Sequence, residues 1–214
     1  MRVLVTQCHK LTPLFSKLIK LGAKIELLPG PLRVLSEVNN YLPKHLKFIA
    51  LVNCTGTGSA QLVGDSGLVP SAGYWVRVHL PHVKIGLAYD SSDSLTYALP
   101  RGRGIVQLGG TSISGWNSDM SSSEISSILT RNQTIFGVPT ANALIVETGC
   151  GLRPCREAGV RLELDNSIIT ALPVIHNYGH GGSGFTLAFG CAEDVVSIVR
   201  DLVLTKSSHL GSKL

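Results

Sequence analysis

The stretch His176-Asn177-Tyr178-Gly179-His180-Gly181-Gly182-Ser183-Gly184-Phe185-Thr186 joins an apolar run, Ala171 to Ile175, to a helical pattern, Phe185 to Val203. A glycine-dense turn between a strand and a helix lets backbone approach a ligand closely. It also aims free helix N–H groups at negative charge. The same pattern serves as a tight turn that merely packs a helix on a sheet, and the residues alone leave both readings open. Ser183 and Thr186 are placed to cap the helix or to touch a ligand.

Working outward from this turn, the chain opens with a βαβ-like pattern. Residues 2–6 suggest a strand, and Thr12-Pro13 starts a helix carrying Leu14, Leu18 and Leu21 and closed by Gly22. Ala23 to Leu28 reads as a strand, Leu32 to Tyr41 as a short helix, and Lys47 to Val52 as a buried parallel strand. The middle is β-rich, with segments at Tyr74–Leu80, Val83–Ala88, Leu95–Leu99 and Gly104–Gly109. Ser121-Ser122-Ser123-Glu124 has the form of a helix cap ahead of Ile125, Ile128 and Leu129. Asn142–Thr148, Val160–Leu164 and Ala171–Ile175 read as further strands, and the last helix carries Leu187, Cys191, Val195, Ile198 and Leu202 at helical spacing. The expected class is α/β of mixed α+β character, with an antiparallel sheet inserted between pieces of an α/β unit.

Bulk properties bound the function. The 214 residues are 44% hydrophobic, enough for one large domain or two small ones. Mean hydropathy is +0.26, yet no apolar run approaches the roughly 18 residues of a membrane span. The segment Met1-Arg2-Val3-Leu4-Val5 is too brief for a secretory signal. The net charge of +5 is scattered rather than gathered with aromatics, which argues against nucleic-acid binding. Five cysteines at spacings that match no zinc pattern point to reduced thiols. Ser212-Lys213-Leu214, read at a free C-terminus, is a peroxisomal import signal, an address recognised by the import receptor.

Several further residues carry chemistry. Arg153 precedes Pro154, which holds it in extended geometry. Its guanidinium suits bidentate pairing with a substrate carboxylate, and equally a structural ion pair. Asn53-Cys54-Thr55-Gly56-Thr57-Gly58 follows the strand Lys47–Val52, at the end of an open sheet where ligands bind. Cys54 reads as a buried structural thiol, because no base is placed near it. His176 and His180 are four apart, but the flanking glycines disfavour a helix, so local hydrogen bonding is preferred over a metal. No G-x-S-x-G, no Walker loop and no G-x-G-x-x-G after the first strand occurs.

Taken in order, Val52-Asn53-Cys54-Thr55-Gly56, Leu95-Thr96-Tyr97 with Pro100, Leu108-Gly109-Gly110-Thr111, Trp116-Asn117, Gly151-Leu152-Arg153-Pro154, Val160-Arg161-Leu162-Glu163 and His176 through Gly184 resemble the D-amino-acid oxidase and D-aspartate oxidase family of flavoenzymes. The resemblance covers about residues 10 to 205 and implies an FAD cofactor. It implies that Arg153 clamps the substrate α-carboxylate, that Tyr97 adds a hydroxyl hydrogen bond to it, and that the Gly182 carbonyl accepts from the substrate amine. Gly181, Gly182, Ser183, Gly184, Phe185 and Thr186 would hold the flavin ring, and Thr55 would touch the cofactor from the other side. Leu95-Thr96-Tyr97, Leu108-Gly109-Gly110-Thr111 and Gly151-Leu152-Arg153 look more like the D-aspartate branch than the neutral one. The implied partners are a D-amino acid, D-aspartate-like or neutral, oxygen and the peroxisomal import receptor, with a homo-oligomer as an open option. Nucleic acid and membrane are not expected.

The expected architecture is a remnant of a flavin-binding α/β domain with an antiparallel β-rich substrate domain. Residues 1–62 form a partial FAD-binding segment and 63–150 the substrate domain. Residues 151–206 return to the FAD-binding domain, and 207–214 form a tail with the targeting tripeptide. The family begins with a dinucleotide turn that this sequence does not show, so an N-terminally shortened chain is expected. The alternative is a non-catalytic remnant without tight FAD binding. A general carboxylate-binding module remains a third reading. Asp90 and Ser112 stand where groups for an acidic side chain would be sought, while Arg101 and Arg103 have no evident place.

Overall fold

The computed structural model describes residues 12–91, 95–117, 119–167 and 172–211. The first strand suggested at residues 2–6 and the tripeptide Ser212-Lys213-Leu214 lie outside the described residues. Helix α1 spans Thr12–Lys20 and ends in Gly22 at φ 85°. A 3₁₀ helix covers Leu35–Tyr41, and the short helix α2 spans Ser59–Leu62.

Two sheets organise the rest of the chain. The smaller contains β1 (Leu51–Asn53), β9 (Val174–Tyr178) and β8 (Arg161–Asp165), in the order β1-β9-β8. The β1–β9 pair is parallel and the β9–β8 pair antiparallel. The larger contains β2 (Ser71–His79), β3 (Leu87–Asp90), β4 (Leu95–Gly102), β5 (Ile105–Gly109), β6 (Ile113–Ser114) and β7 (Leu144–Arg153). Its order is β3-β4-β5-β2-β6, with β7 also paired to β2, and every pairing is antiparallel.

The core lies on one face of the larger sheet. Period-two alternation in β2 sends Ala72, Tyr74, Val76 and Val78 inward, where Ala98, Val106 and Leu108 join them. Helix α3 (Ser122–Phe136) covers this face and buries Ile128 completely. Burying such a side chain contributes about 1.5–3 kcal/mol. The start of α3 is fixed by a capping box: the Glu124 N–H donates to the Ser121 hydroxyl, and the Ser121 N–H to the Glu124 carboxylate. Gly137, at φ 65°, ends it. The other face of the sheet is left for the site.

Two expected strands are shorter or absent. Of Lys47–Val52 only the end is paired, as Leu51–Asn53, and Ile49 and Val52 are exposed. Parallel strands persist where both faces of their sheet are covered, and β1, with Val52 exposed, pairs on one edge alone among the described residues. Ala23–Leu28 forms no strand, because it finds no ladder partner.

Helix α4 (Gly184–Gly211) packs on the smaller sheet through the stripe Cys191, Val195, Ile198 and Leu202. A second apolar stripe is bare, with Phe185 76% and Phe189 83% exposed and Val196 also open. No helix among the described residues is long and apolar enough to cross a membrane.

Candidate functional site

Strand β9 delivers the glycine turn. After Tyr178 the backbone takes φ 87° at Gly179 and φ 54° at Gly181, in the region where a Cβ is costly. A short 3₁₀ turn, Gly181–Ser183, then runs straight into α4. The Gly181 N–H donates to the Pro154 carbonyl at 2.9 Å, and Cys155 forms a bridge with His180. The turn is therefore stitched to the residues just after Arg153. Gly182, Ser183, Gly184, Phe185 and Thr186 all face outward. A cavity of about 350 Å³ lies between this turn and the loop after β1, reaching Cys54, Gly56, Pro154 and Asn177. Cys54 is exposed, not the buried structural thiol expected: β1 ends at Asn53 and the next residue already faces the cavity.

Arg153 and Tyr97 occupy the outer face of the larger sheet, and glycines make room for them. Arg153 closes β7 opposite Ser71. Its guanidinium lies over Gly73, where an added Cβ would stand 2.5 Å from Cζ and Nη1. Nη1 donates to the Thr111 carbonyl at 2.9 Å. The Arg153 Cδ lies 3.7 Å from where a Gly182 Cβ would be, so the arginine reaches the glycine turn. Tyr97, in β4, pairs with Gly109, and its ring covers that residue and Gly110: an added Cβ would overlap Cζ and stand 2.6 Å from Cε2 at Gly109, and 2.7 Å from Cε1 at Gly110. On β2, Trp75 pairs with Gly109 on one side and Gly149 on the other, and its indole fills the Gly149 slot. Arg77 sits 4.3 Å over the Trp75 ring and pairs with Glu147.

A polar network underlies the loops. His176 is fully buried, with Nδ1 3.2 Å from Asn53 Nδ2 and Nε2 3.2 Å from Asp165 Oδ2. An amide nitrogen can only donate, so Nδ1 accepts, and Nε2–H donates to the carboxylate. Burial pushes the His176 pKa down, and Arg161 adds to this against the opposing Asp165. Asn53 Oδ1 accepts from the Thr55 hydroxyl at 2.7 Å and its N–H at 3.2 Å, fixing Thr55 at the mouth of the loop. Asp165 is held down to about 2, first by the Ser167 hydroxyl and then, against burial, by the Ser167 N–H, His176 and Arg161.

Asp65 is the second hub. Its Oδ2 accepts from Tyr178 Oη at 2.6 Å and Arg156 Nε at 2.8 Å, and its Oδ1 from the Gly67 N–H at 3.1 Å. Burial alone would raise its pKa, but these bonds outweigh burial and lower it.

The structure thus brings Arg153, Gly182 and the rest of the turn together and sets Thr55 on the loop facing the turn. Tyr97 is linked to Arg153 through β5: its ring lies over Gly109 and Gly110, and Arg153 bonds the next residue, Thr111. Arg101 donates to Gln107 at 3.3 Å, and Arg103 takes φ 51° in the β4–β5 turn. Asp90 is exposed in β3, and Ser112 bonds Ser71 at 2.9 Å. Among the described residues no cluster of three metal-ligating side chains occurs. Sequence reasoning missed Asp65, Trp75 and Gly73. Asp65 gave no signal, because its partners lie 91 and 113 residues away. The glycines of β2, β5 and β7 were a usable signal: glycine inside a strand marks the close approach of another group.

This site has a guanidinium without a carboxylate partner among the described residues, a phenol over the neighbouring Gly109 and Gly110, and a glycine turn with the start of a long helix. That is the equipment of a carboxylate site adjoining a flat or anionic ligand. The family described as "DAO: FAD dependent oxidoreductase" matches residues 21–198. A D-amino acid oxidase of Dugesia ryukyuensis is 35% identical over 94% of this chain and 59% of its own length. A D-aspartate oxidase of Homo sapiens is 36% identical over 74% of this chain and 46% of its own length. The fold is similar to glycine oxidase from Geobacillus kaustophilus, with TM-score 0.59, 24% identity, and coverage of 71% of this chain and 41% of that one. The chain belongs to the DAO family of FAD-dependent oxidoreductases. It spans 59% of the length of the first of these curated relatives and 46% of the second.

Proposed function

We propose that this chain carries the substrate-clamping and flavin-facing parts of an oxidase that acts on D-amino acids. The observation that carries this reading is the placing of Arg153 against Gly182, with its guanidinium open on the face shared with Tyr97.

The residues present suit the ring end of FAD. Gly182 and Gly184 leave the turn without side chains, and α4 starts there. Asn177 Oδ1, whose residue lines the cavity, is buried with no protein partner among the described residues. A buried acceptor of that kind is costly unless something donates to it, and a ring N–H meets the need. When bound, the flavin would accept hydride from the substrate Cα and pass the electrons to oxygen as hydrogen peroxide, and water would hydrolyse the resulting imino acid to a 2-oxo acid and ammonia. Arg153 and Tyr97 hold the α-carboxylate, and the Gly182 carbonyl accepts from the amine. The start of α4 favours negative charge on the ring. Little acid–base machinery is required of the protein.

The side chain of the substrate is neutral on this reading. A second cavity, of about 400 Å³, is lined by Ser71, the register partner of Arg153, and by Ser112, Ser114, Arg156 and Glu157 among others. Arg156 is neutralised by Asp65, and Arg77 by Glu147. A second carboxylate placed there would meet hydroxyls and Glu157, and the one guanidinium lining the cavity among the described residues is paired with Asp65.

A second reading is a chain that grips FAD weakly and turns over slowly or not at all: the residues proposed to face the ring, Gly182 to Thr186, are all exposed. Titration of the purified chain with FAD, followed by flavin absorbance and peroxide release with D- and L-amino acids, tests both. Peroxide from neutral D-amino acids, dependent on Arg153, supports the oxidase. A stoichiometric yellow protein overturns weak binding, and a flavin-loaded Arg153→Ala variant with unchanged KM overturns the clamp. Read at a free C-terminus, Ser212-Lys213-Leu214 addresses the chain to peroxisomes. A fluorescent fusion ahead of the tripeptide, with and without it, tests that address.

A further inference from the structure

We propose that Arg131, on the core helix α3, is a positioning residue for the carboxylate clamp, acting through the Gly110 carbonyl on Tyr97 and Arg153. The inference rests on the carboxylate site proposed above and assigns its geometry to a helix that packs on the other face of the sheet.

Three observations carry it. The first is where the chain is loosest. The Tyr97 ring lies on both Gly109 and Gly110, and neither position has room for a side chain. A glycine pair has more conformational freedom than any other two residues. The next residue, Thr111, offers the carbonyl that accepts from Arg153 Nη1 at 2.9 Å. Both arms of the clamp therefore rest on one flexible segment.

Second, α3 supplies the hold. Arg131 Nη2 donates to the Gly110 carbonyl at 2.6 Å, and the neighbouring Asn132 Nδ2 donates to the Gly109 carbonyl at 3.2 Å. The Gly110 carbonyl lies in one peptide plane with the Thr111 nitrogen, so fixing it fixes the entry to Thr111. On the strand side the Gly110 N–H donates to the Leu95 carbonyl at 2.9 Å.

Third, Arg131 is a costly choice if stability is its whole purpose. It is half-buried, its Nη1 donates to the Ser127 hydroxyl at 2.8 Å, and no carboxylate pairs with it among the described residues. Drawing a cation out of water without a counter-charge costs more than packing an apolar side chain there. What the guanidinium adds is a charge-assisted bond of fixed direction. Without it the Gly110–Thr111 peptide turns more freely. The Thr111 carbonyl then no longer holds the Arg153 guanidinium down on β2, and the Tyr97 ring loses a fixed support.

The test has two arms. The first is calorimetric titration of the intact chain with 2-oxobutyrate, which needs no flavin. In Arg131→Met the affinity falls about tenfold. Arg131→Lys keeps a charged donor for the Gly110 carbonyl and stays within about threefold of the wild type. The second arm needs no ligand. Gly73→Ala forces the Arg153 guanidinium upward and lowers the urea midpoint of the wild type. In Arg131→Met that fall is smaller by about half or more, because the Thr111 carbonyl can follow the guanidinium.

Unchanged affinity in a folded Arg131→Met variant overturns the inference. Equal losses in Arg131→Lys and Arg131→Met overturn it too, as do equal costs of Gly73→Ala with and without Arg131. Loss of folding in both Arg131→Met and Arg131→Ala also overturns it, because Arg131 is then a structural residue. Failure of the wild type to bind 2-oxobutyrate overturns the carboxylate site itself, and the inference with it.

Discussion

Adding one methyl group at Gly73 tests whether the Arg153 guanidinium lies flat on β2. The new Cβ would stand 2.5 Å from Cζ and Nη1. Carbon atoms in contact settle at about 3.5–4.0 Å, so the guanidinium has to rise by about 1 Å. The 2.9 Å bond from Nη1 to the Thr111 carbonyl is then lost. Overpacking of this kind costs about 1–3 kcal/mol. Alanine in place of a strand glycine returns about 0.5–1 kcal/mol of chain entropy. Gly73→Ala should therefore destabilise the chain by about 1–2 kcal/mol. With Arg153→Ala already present nothing opposes the methyl group, and the same substitution should be neutral or stabilising by about 0.5–1 kcal/mol. The four variants form a double-mutant cycle with a coupling of about 1–3 kcal/mol. Urea unfolding followed by circular dichroism reads it, since with a slope near ~2 kcal/mol/M the midpoint moves by about 1 M. Equal costs of Gly73→Ala in both backgrounds would refute the placing of the guanidinium.

Asp165 has its folded pKa depressed from 3.8 to about 2, so it contributes stability that is present above about pH 4 and is lost as pH falls toward 2; Asp165→Asn should flatten that acid limb in urea melts at pH 5 and pH 2.5. Gly179→Ala combines φ 87° with a Cβ 3.0 Å from Arg156 Cβ, and should cost about 1–3 kcal/mol in the same unfolding assay; a cost below about 0.5 kcal/mol would contradict the left-handed turn. Phe189→Ser on the bare stripe of α4 should reduce binding of a hydrophobic dye while moving stability by less than about 0.5 kcal/mol. Unchanged dye binding would mean that the stripe is covered. Ser121→Ala should lose the α3 cap and cost about 1 kcal/mol, read as a lower urea midpoint.

Local signals in the sequence read true, and remote partners were not legible. Ser121 through Glu124 announced the α3 cap because a capping box is made within four residues. Tyr74, Val76 and Val78 announced a one-sided strand because period two is local. Lys47–Val52 looked like a long buried strand, but strand length depends on a neighbour 123 residues away: β1 exists only where β9 pairs with it. The glycine turn and Arg153 were each visible as alternatives, ligand site or structural device. Only their contact through Gly182, and the absence of an acidic partner for Arg153 among the described residues, favours the ligand reading. Asp65 depends on partners remote in sequence, and the strand glycines announce a close approach while cross-strand register alone decides that Tyr97 and Trp75 fill the slots.

The stitch between Gly181 and Pro154 has a mechanical consequence. Arg153 is the last residue of the large sheet, and the turn belongs to the small one. Pro154 and Cys155 therefore tie the last strand of one ladder to the turn of the other. A ligand that grips the arginine and the turn together acts as a staple across that seam. Its binding energy then reappears as stability of both ladders at once, read as a higher urea midpoint with ligand present.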